Sequence, residues 1–195
     1  AIPRSGLVLT AGGIGSGKSA LNYALMEALH QEDPERHCFV YGFPKEKQHL
    51  LPDWALITSD EEFEEGSIVL ADEAYMQFYS HDSMSERNEF MDRFAGLARQ
   101  KGFLALWITQ TTRKLSLALV SGVQVFLVKR PDVMMVKLDR SEVRGILKEA
   151  ADAFKPLAPE DRRRDVWCLR FDEDGLIENA NALPGFWSEE LSRSW

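Results

Sequence analysis

The chain has 195 residues, 45% hydrophobic and 28% charged, with 31 acidic against 23 basic side chains and a net charge of −8. That length supports one substantial core and a single main domain with a small appendage. The charge argues against a generic polyanion binder, though not against DNA gripped by a few basic loops lining an oligomer's pore. No apolar run approaches the roughly 18–20 residues of a membrane span, and Pro3, Arg4 and Gly6 interrupt any signal peptide.

A short apolar strand over residues 7–11 runs into Gly12, Gly13, Ile14, Gly15, Ser16, Gly17, Lys18 and Ser19, which fit G-x-x-x-x-G-K-[ST] without a mismatch. Glycines let successive backbone N–H groups curl around phosphate oxygens, and the following helix aims its positive end at the same anion. Lys18 is placed to reach the β- and γ-phosphates as a point charge, and the Ser19 hydroxyl to ligate Mg²⁺. That helix carries apolar residues at Leu21, Ala24, Leu25, Ala28 and Leu29 and runs to about His30. Residues Gly12 to Ala20 are therefore expected to hold a nucleoside triphosphate.

A polar turn over residues 31–37 leads to a second strand, 38–42. The stretch 44–60 reads as irregular, with Lys45, Lys47, His49 and a Pro52-Asp53-Trp54 turn. The acidic run 60–65 reads as a solvated short helix. Residues 67–73 form a second signal, an apolar strand ending in Asp72 and Glu73. The C-terminal ends of buried strands are where α/β sheets bind ligands. Asp72 is expected to hold Mg²⁺ opposite Ser19, and Glu73 to polarise the attacking water as general base. An acidic turn after a strand means little alone. Downstream of a phosphate loop it predicts a site, and the pair favours hydrolysis over phosphoryl transfer to a small molecule.

Residues 84–101 read as a helix, with Phe90, Met91, Phe94, Leu97 and Ala98 apolar and Gly102 ending it. A buried strand, 103–108, closes on Thr109-Gln110. A short helix follows around 115–119, then a strand, 123–128. Pro131-Asp132 turns the chain into 133–138, and 141–154 is a further helix. Buried strands alternating with helices mean an α/β fold, a parallel sheet covered on both faces. Cys38 and Cys168 lie inside apolar runs and read as buried free thiols, consistent with a reducing compartment. His30, His37, His49 and His81 lack metal-ligand spacing.

After Pro156 and Pro159 the pattern changes to a hairpin, 166–171 and 176–178, with Asp174-Gly175 at its turn. The expected division is a domain over 1–155 and an appendage over 156–195. Phe186, Trp187 and Trp195 either pack on the domain or dock a partner. Arg162, Arg163 and Arg164 are either solvated or a lid.

The run Arg99-Gln100-Lys101-Gly102, then the strand to Thr109-Gln110, resembles the FtsK/HerA superfamily of P-loop ATPases. There an Arg-x-x-Gly precedes a strand ending in Thr-Gln, and phosphate loop and Asp-Glu strand are arranged the same way. The chain looks closer still to the zonular-occludens-toxin-like (Zot) branch, with its near-N-terminal phosphate loop. It shares with that branch a glycine-led strand into Asp-Glu-Ala (residues 66–74) and an aromatic-bearing segment after it, Tyr75, Phe78 and Tyr79. The resemblance spans residues 5–135, about two thirds of the chain.

It implies a P-loop NTPase of the additional-strand, RecA/FtsK-like type, a helix-flanked parallel sheet with a C-terminal β-hairpin appendage. It also implies ATP and Mg²⁺ as cofactors, and a homo-oligomeric ring, a hexamer or pentamer. DNA would be contacted through pore loops, for which Lys45 and Lys47 are the candidates. Gln110 would be the polar sensor between the Asp-Glu strand and the γ-phosphate. Arg99 would be the finger reaching a neighbouring subunit's nucleotide, or simply a helix-terminus cation. Arg113 and Lys114 are rival fingers that could equally touch DNA or be solvated. Two departures stand out: Thr111-Thr112-Arg113 replaces the usual Arg-Pro or nearby proline, and the membrane span usual after Zot-like ATPase domains is missing. They favour a soluble DNA-translocating or genome-packaging motor, in the host cytosol or on the virion, with a virion or membrane component as a further partner. A small-molecule or nucleoside kinase stays open, as does a nucleotide switch, scaffold or Zot-like export ATPase without its anchor. A GTPase is disfavoured, because no Asn-Lys-x-Asp tetrapeptide occurs. An ABC subunit is disfavoured because Val120-Ser121-Gly122-Val123-Gln124 lacks the second signature glycine.

Overall fold

The structure is a computed structural model that describes residues 2–59, 63–72, 84–158, 161–170, 173–178, 180 and 182–193. Its centre is β1 (Gly6–Ala11), buried at all six positions, as a strand covered on both faces must be. In chain order there follow α1 (Lys18–Glu32), β2 (Cys38–Tyr41), β3 (Ala55–Thr58) and β4 (Ile68–Asp72). Next come α2 (Met84–Gln100), β5 (Leu104–Thr109), α3 (Leu117–Ser121), β6 (Val123–Val128), α4 (Val133–Leu138) and α5 (Ser141–Phe154). The chain ends with β7 (Val166–Leu169), β8 (Asp174–Ile177) and α6 (Glu189–Ser192). The strands form one eight-stranded sheet in the order β3-β2-β4-β5-β1-β6-β7-β8. The first six in that order run parallel. β7 and β8 extend the sheet antiparallel from β6.

Alternation along β1 divides the core. Leu7, Leu9 and Ala11 face Met91, Phe94 and Ala98 of α2 and Val143, Leu147 and Phe154 of α5. Val8 faces Leu21, Tyr23 and Met26 of α1. The apolar spacing Val143, Leu147, Ala150, Phe154 makes one stripe on α5 and accounts for its single buried face. Gly102, at φ 64, ends the α2 turn where a side chain would be strained.

Several details differ from the sequence reading. The stretch read as irregular contains a 3₁₀ turn, Lys45–Leu50, and β3, which pairs parallel with β2. Four residues on a sheet edge carry too little pattern to be read from sequence. Asp174-Gly175 is not the hairpin turn: Asp174 pairs with Leu169 and Gly175 with Cys168 inside the ladder. Beyond that ladder Arg170 N donates to Glu173 O at 2.9 Å. Residues 133–138 are helical, capped by the Asp132 side chain, which accepts from Met135 N at 2.8 Å. Of the two alternatives for the tail, packing on the domain is the one seen for Phe186 and Trp187. Phe186 meets Tyr23 edge-on at 5.7 Å and Trp54 at 5.8 Å, and Trp187 lies 6.2 Å from Tyr23. Cys38 is buried and Cys168 half-buried, both as free thiols, and burial pushes the Cys38 thiol up to about 11. Glu73, Tyr75, Phe78, Tyr79, His81, Trp195 and the start of the acidic run lie outside the described residues.

Phe94 joins sheet and helix, with ring centroids 5.1 Å from Trp107, 5.4 Å from Phe63 and 5.5 Å from Phe103. Phe94→Ala is expected to cost about 3–5 kcal/mol, as ring deletions from packed cores do. In urea unfolding the midpoint should fall with the slope unchanged. A loss under about 1 kcal/mol would mean that this cluster is not the core described.

Candidate nucleotide-binding site

β1 delivers the phosphate loop at its C-terminal end. Gly17, at φ 89, is the N-cap of α1. Gly12 is required for space, since a Cβ there would lie 2.8 Å from both Lys129 Cβ and Ser16 Oγ. Lys18 Nζ donates to the carbonyls of Gly12 and Gly13, each at 2.9 Å, so the ammonium sits over the loop itself. Ser16 Oγ is buried with no hydrogen-bond partner among the described residues. A strut that sequence reasoning missed holds the two sides of the loop together. Thr10 Oγ1 donates to Asn22 Oδ1 at 3.2 Å, and Asn22 Nδ2 donates to Lys18 O at 2.9 Å. Both side chains are fully buried. Their only signal in the sequence was a polar residue at a core position on each of two apolar elements.

Asp72 ends β4 and is buried. Although β5 lies between β4 and β1, the Ser19 hydroxyl donates to Asp72 Oδ2 at 3.1 Å. These two predicted residues are thus brought together. Gln110 is exposed and follows Thr109, the partner of Ala11 in the sheet, so its backbone lies beside the loop's first glycine. The chain after Gln110 is held by a second cluster that sequence reasoning missed. Asp139 accepts from Thr111 Oγ1, Thr112 N, Thr112 Oγ1 and Arg140 N at 2.6–3.1 Å. The Arg140 guanidinium donates to the carbonyls of Thr112 and Leu115. Arg113 and Lys114 are exposed on this segment, at the phosphate-loop end of the sheet.

Arg99 is not brought to this site. It is exposed near the end of α2, with Nε donating to Ala95 O at 3.4 Å. The strand it leads into begins opposite Gly6. Six residues of β1 separate that end from the loop, about 20 Å at the usual strand rise. Lys45 and Lys47 lie on the 3₁₀ turn that follows β2, at the phosphate-loop end of the sheet.

Behind the loop lies Lys129, 0% exposed. Its backbone N donates to Ala11 O at 2.8 Å, and its Nζ donates to Arg163 O at 2.7 Å and Asp165 O at 2.6 Å. Burial pulls its ammonium down from the ordinary 10.5 to about 8, with Asp165 opposing the shift.

Two groups that such a loop implies, a nucleoside triphosphate and Mg²⁺, fit what is present. The buried, unpartnered Ser16 hydroxyl suits a phosphate oxygen, and the Ser19–Asp72 pair supplies the hard oxygens that Mg²⁺ prefers. An extra strand between the phosphate-loop strand and the strand ending in Asp72 defines a P-loop NTPase fold of the additional-strand type. No family model and no curated protein sequence matches the chain. Solved structures do. The DNA-packaging ATPase B204 from Sulfolobus Turreted Icosahedral Virus superposes with TM-score 0.60 at 14% identity, covering 92% of this chain and 98% of that one. The genome packaging NTPase B204 from Sulfolobus turreted icosahedral virus 2, in complex with AMPPCP, gives 0.61 at 13% identity over 93% of this chain and 100% of that one. The pCW3 conjugation coupling protein TcpA, with ATPgS, gives 0.59 at 13% identity over 89% of this chain and 60% of that one.

Two outcomes follow for solution work. Gly12→Ala should abolish triphosphate binding in calorimetry, because the new methyl meets Ser16 Oγ and Lys129 Cβ; retained affinity would contradict the close packing. Lys129 gives up its proton more readily folded than unfolded, so between about pH 8 and 10.5 the unfolded chain binds more protons. Stability from this group therefore rises with pH across that window. Unfolding free energies on either side of it should show the rise in the native chain and lose it in Lys129→Met; an equal rise in both would assign it elsewhere.

Proposed function

We propose that the protein is an ATP-hydrolysing motor that translocates or packages DNA and works as a homo-oligomeric ring. The observation that carries the reading is the Ser19–Asp72 contact across the inserted strand. It occurs in a fold shared over nearly the whole chain with a DNA-packaging ATPase. Lys18 would exchange the carbonyls of Gly12 and Gly13 for the β- and γ-phosphates, keeping its donors hydrogen-bonded in both arrangements. Mg²⁺, held by Ser19 and Asp72, would neutralise charge developing on the phosphates. Glu73, next in the chain to Asp72, takes the proton of the attacking water as general base. Gln110, beside the loop, orients that water or reads the γ-phosphate.

Arg99 lies too far from its own loop to serve it, so as a finger it would act on a neighbour's nucleotide, the alternative being a helix-terminus cation. That use requires a ring in which each site is an interface. Arg113, at the loop end, is the rival finger. Lys45 and Lys47 are the proposed DNA contacts. The kinase alternative gains nothing from Arg162, whose guanidinium is tied to Leu157 O at 3.0 Å rather than hinged as a lid.

Steady-state hydrolysis at low salt tests this, with protein concentration varied and single- or double-stranded DNA added. Turnover should climb with both. Glu73→Gln should lose about 10²–10⁴-fold, the usual worth of a general base. Arg99→Ala should lose on the order of 10³-fold if it is the finger. Turnover indifferent to DNA and to concentration would remove the ring and the motor together.

A further inference from the structure

The short helix α4 has one end on the phosphate loop and the other on the chain just beyond Gln110. At its start Gly13 N donates to Arg130 O at 3.4 Å, and a Cβ on Gly13 would lie 3.3 Å from Asp132 Oδ2, the helix cap. In its middle Met135 is buried in the core. At its end Asp139, 5% exposed, accepts from Thr111 Oγ1, Thr112 N, Thr112 Oγ1 and Arg140 N.

Gln110 lies between two fastened neighbours. The ladder with β1 stops at Thr109, whose hydroxyl donates to Thr111 O at 2.8 Å and accepts from Thr111 N at 3.2 Å. Beyond it Asp139 takes both Thr111 and Thr112, and the Arg140 guanidinium donates to the carbonyls of Thr112, Arg113 and Leu115. Resting on the reading of Gln110 as the residue that orients water or reads the γ-phosphate, we infer that Asp139 and Arg140 are positioning residues for hydrolysis. Neither acts by touching the nucleotide. Through α4 they hold Gln110 at a fixed offset from the phosphate loop. A buried carboxylate with its donors in place cannot shift without leaving charge unpaired. The planar guanidinium spans several carbonyls at once, which a lysine ammonium on a flexible stem does not. A displacement of about 1 Å at the reacting centre can cost about 10²-fold in rate.

A cluster that only stabilised the fold would lower the unfolding free energy and leave kcat of the folded protein alone. Arg140→Lys keeps the charge and removes the fork, so it separates the two roles. On the full chain at saturating ATP and Mg²⁺, kcat should fall about tenfold or more, while ATPγS affinity by calorimetry stays within about twofold. Gln110→Ala should lose at least as much, and adding Arg140→Lys to it should change kcat by no more than about twofold, since both act through one group. Without nucleotide, amide exchange at Thr112 should quicken in Arg140→Lys. Should that variant fail to fold, Thr111→Val, which removes one donor to Asp139, takes its place. An unchanged kcat, additive losses, an equal loss of ATPγS affinity or unchanged exchange at Thr112 would each overturn the assignment. So would a native rate in Gln110→Ala. A native chain that neither binds ATPγS nor hydrolyses ATP would defeat the nucleotide reading itself, while exchange at Thr112 still reports whether Arg140 holds the segment.

Discussion

A hydrogen bond of 3.1 Å from the Ser19 hydroxyl to the Asp72 carboxylate joins the first turn of α1 to the end of β4, with the whole of β5 lying between their strands. Its geometry makes demands on everything around it. β1, β5 and β4 must end level, which their parallel register from Gly6, Leu104 and Ile68 provides. α1 must start directly above β1, which the left-handed Gly17 allows. Asp72 must be buried yet near a hydroxyl, because a carboxylate taken from water without a partner is costly. The pair places two oxygens side by side near the N-terminus of α1, the end of a helix that favours phosphate.

The surroundings of that contact are held by buried polar groups more than by packing alone. Asn22 ties β1 to α1, Lys129 ties the loop to the strand added beyond β6, and Asp139 with Arg140 ties down the chain after Gln110. Each is satisfied by several partners, the condition under which buried polar networks rigidify a structure. Between them they restrain three sides of the loop. A rigid cradle suits a site where phosphoryl transfer depends on positioning and on charges set in advance. At the same end of the sheet the 3₁₀ turn after β2 and the fastened segment with Arg113 and Lys114 present cations.

The elements with strong local patterns were legible from sequence. These were the apolar strand before the glycines, the strand ending in Asp72, the helix ended by Gly102, and the α5 stripe. β3 was not, because four edge residues of mixed burial look like loop. The Asp174-Gly175 dipeptide misled for a different reason: it is a turn signal locally, but pairing with Leu169 and Cys168 places it in a ladder. Tertiary pairing overrode a local preference. The placement of Lys18 over the loop and of Ser19 against Asp72 was legible because it follows from one short motif and one strand end. Asn22, Lys129 and Asp139 were not, since their partners lie 12, 36 and 27 residues away and a lone polar residue in an apolar run does not name its partner.

The most direct measurement is calorimetric titration of the full chain with ATPγS, with and without Mg²⁺, for the native protein and Asp72→Asn. If Ser19 and Asp72 together hold the metal on the nucleotide, Mg²⁺ should tighten binding to the native chain by about tenfold or more, and Asp72→Asn should lose most of that gain while keeping its metal-free affinity. A gain from Mg²⁺ that is the same in both proteins would mean that the contact across β5 is structural only, and that the metal, and with it the hydrolytic centre, lies elsewhere.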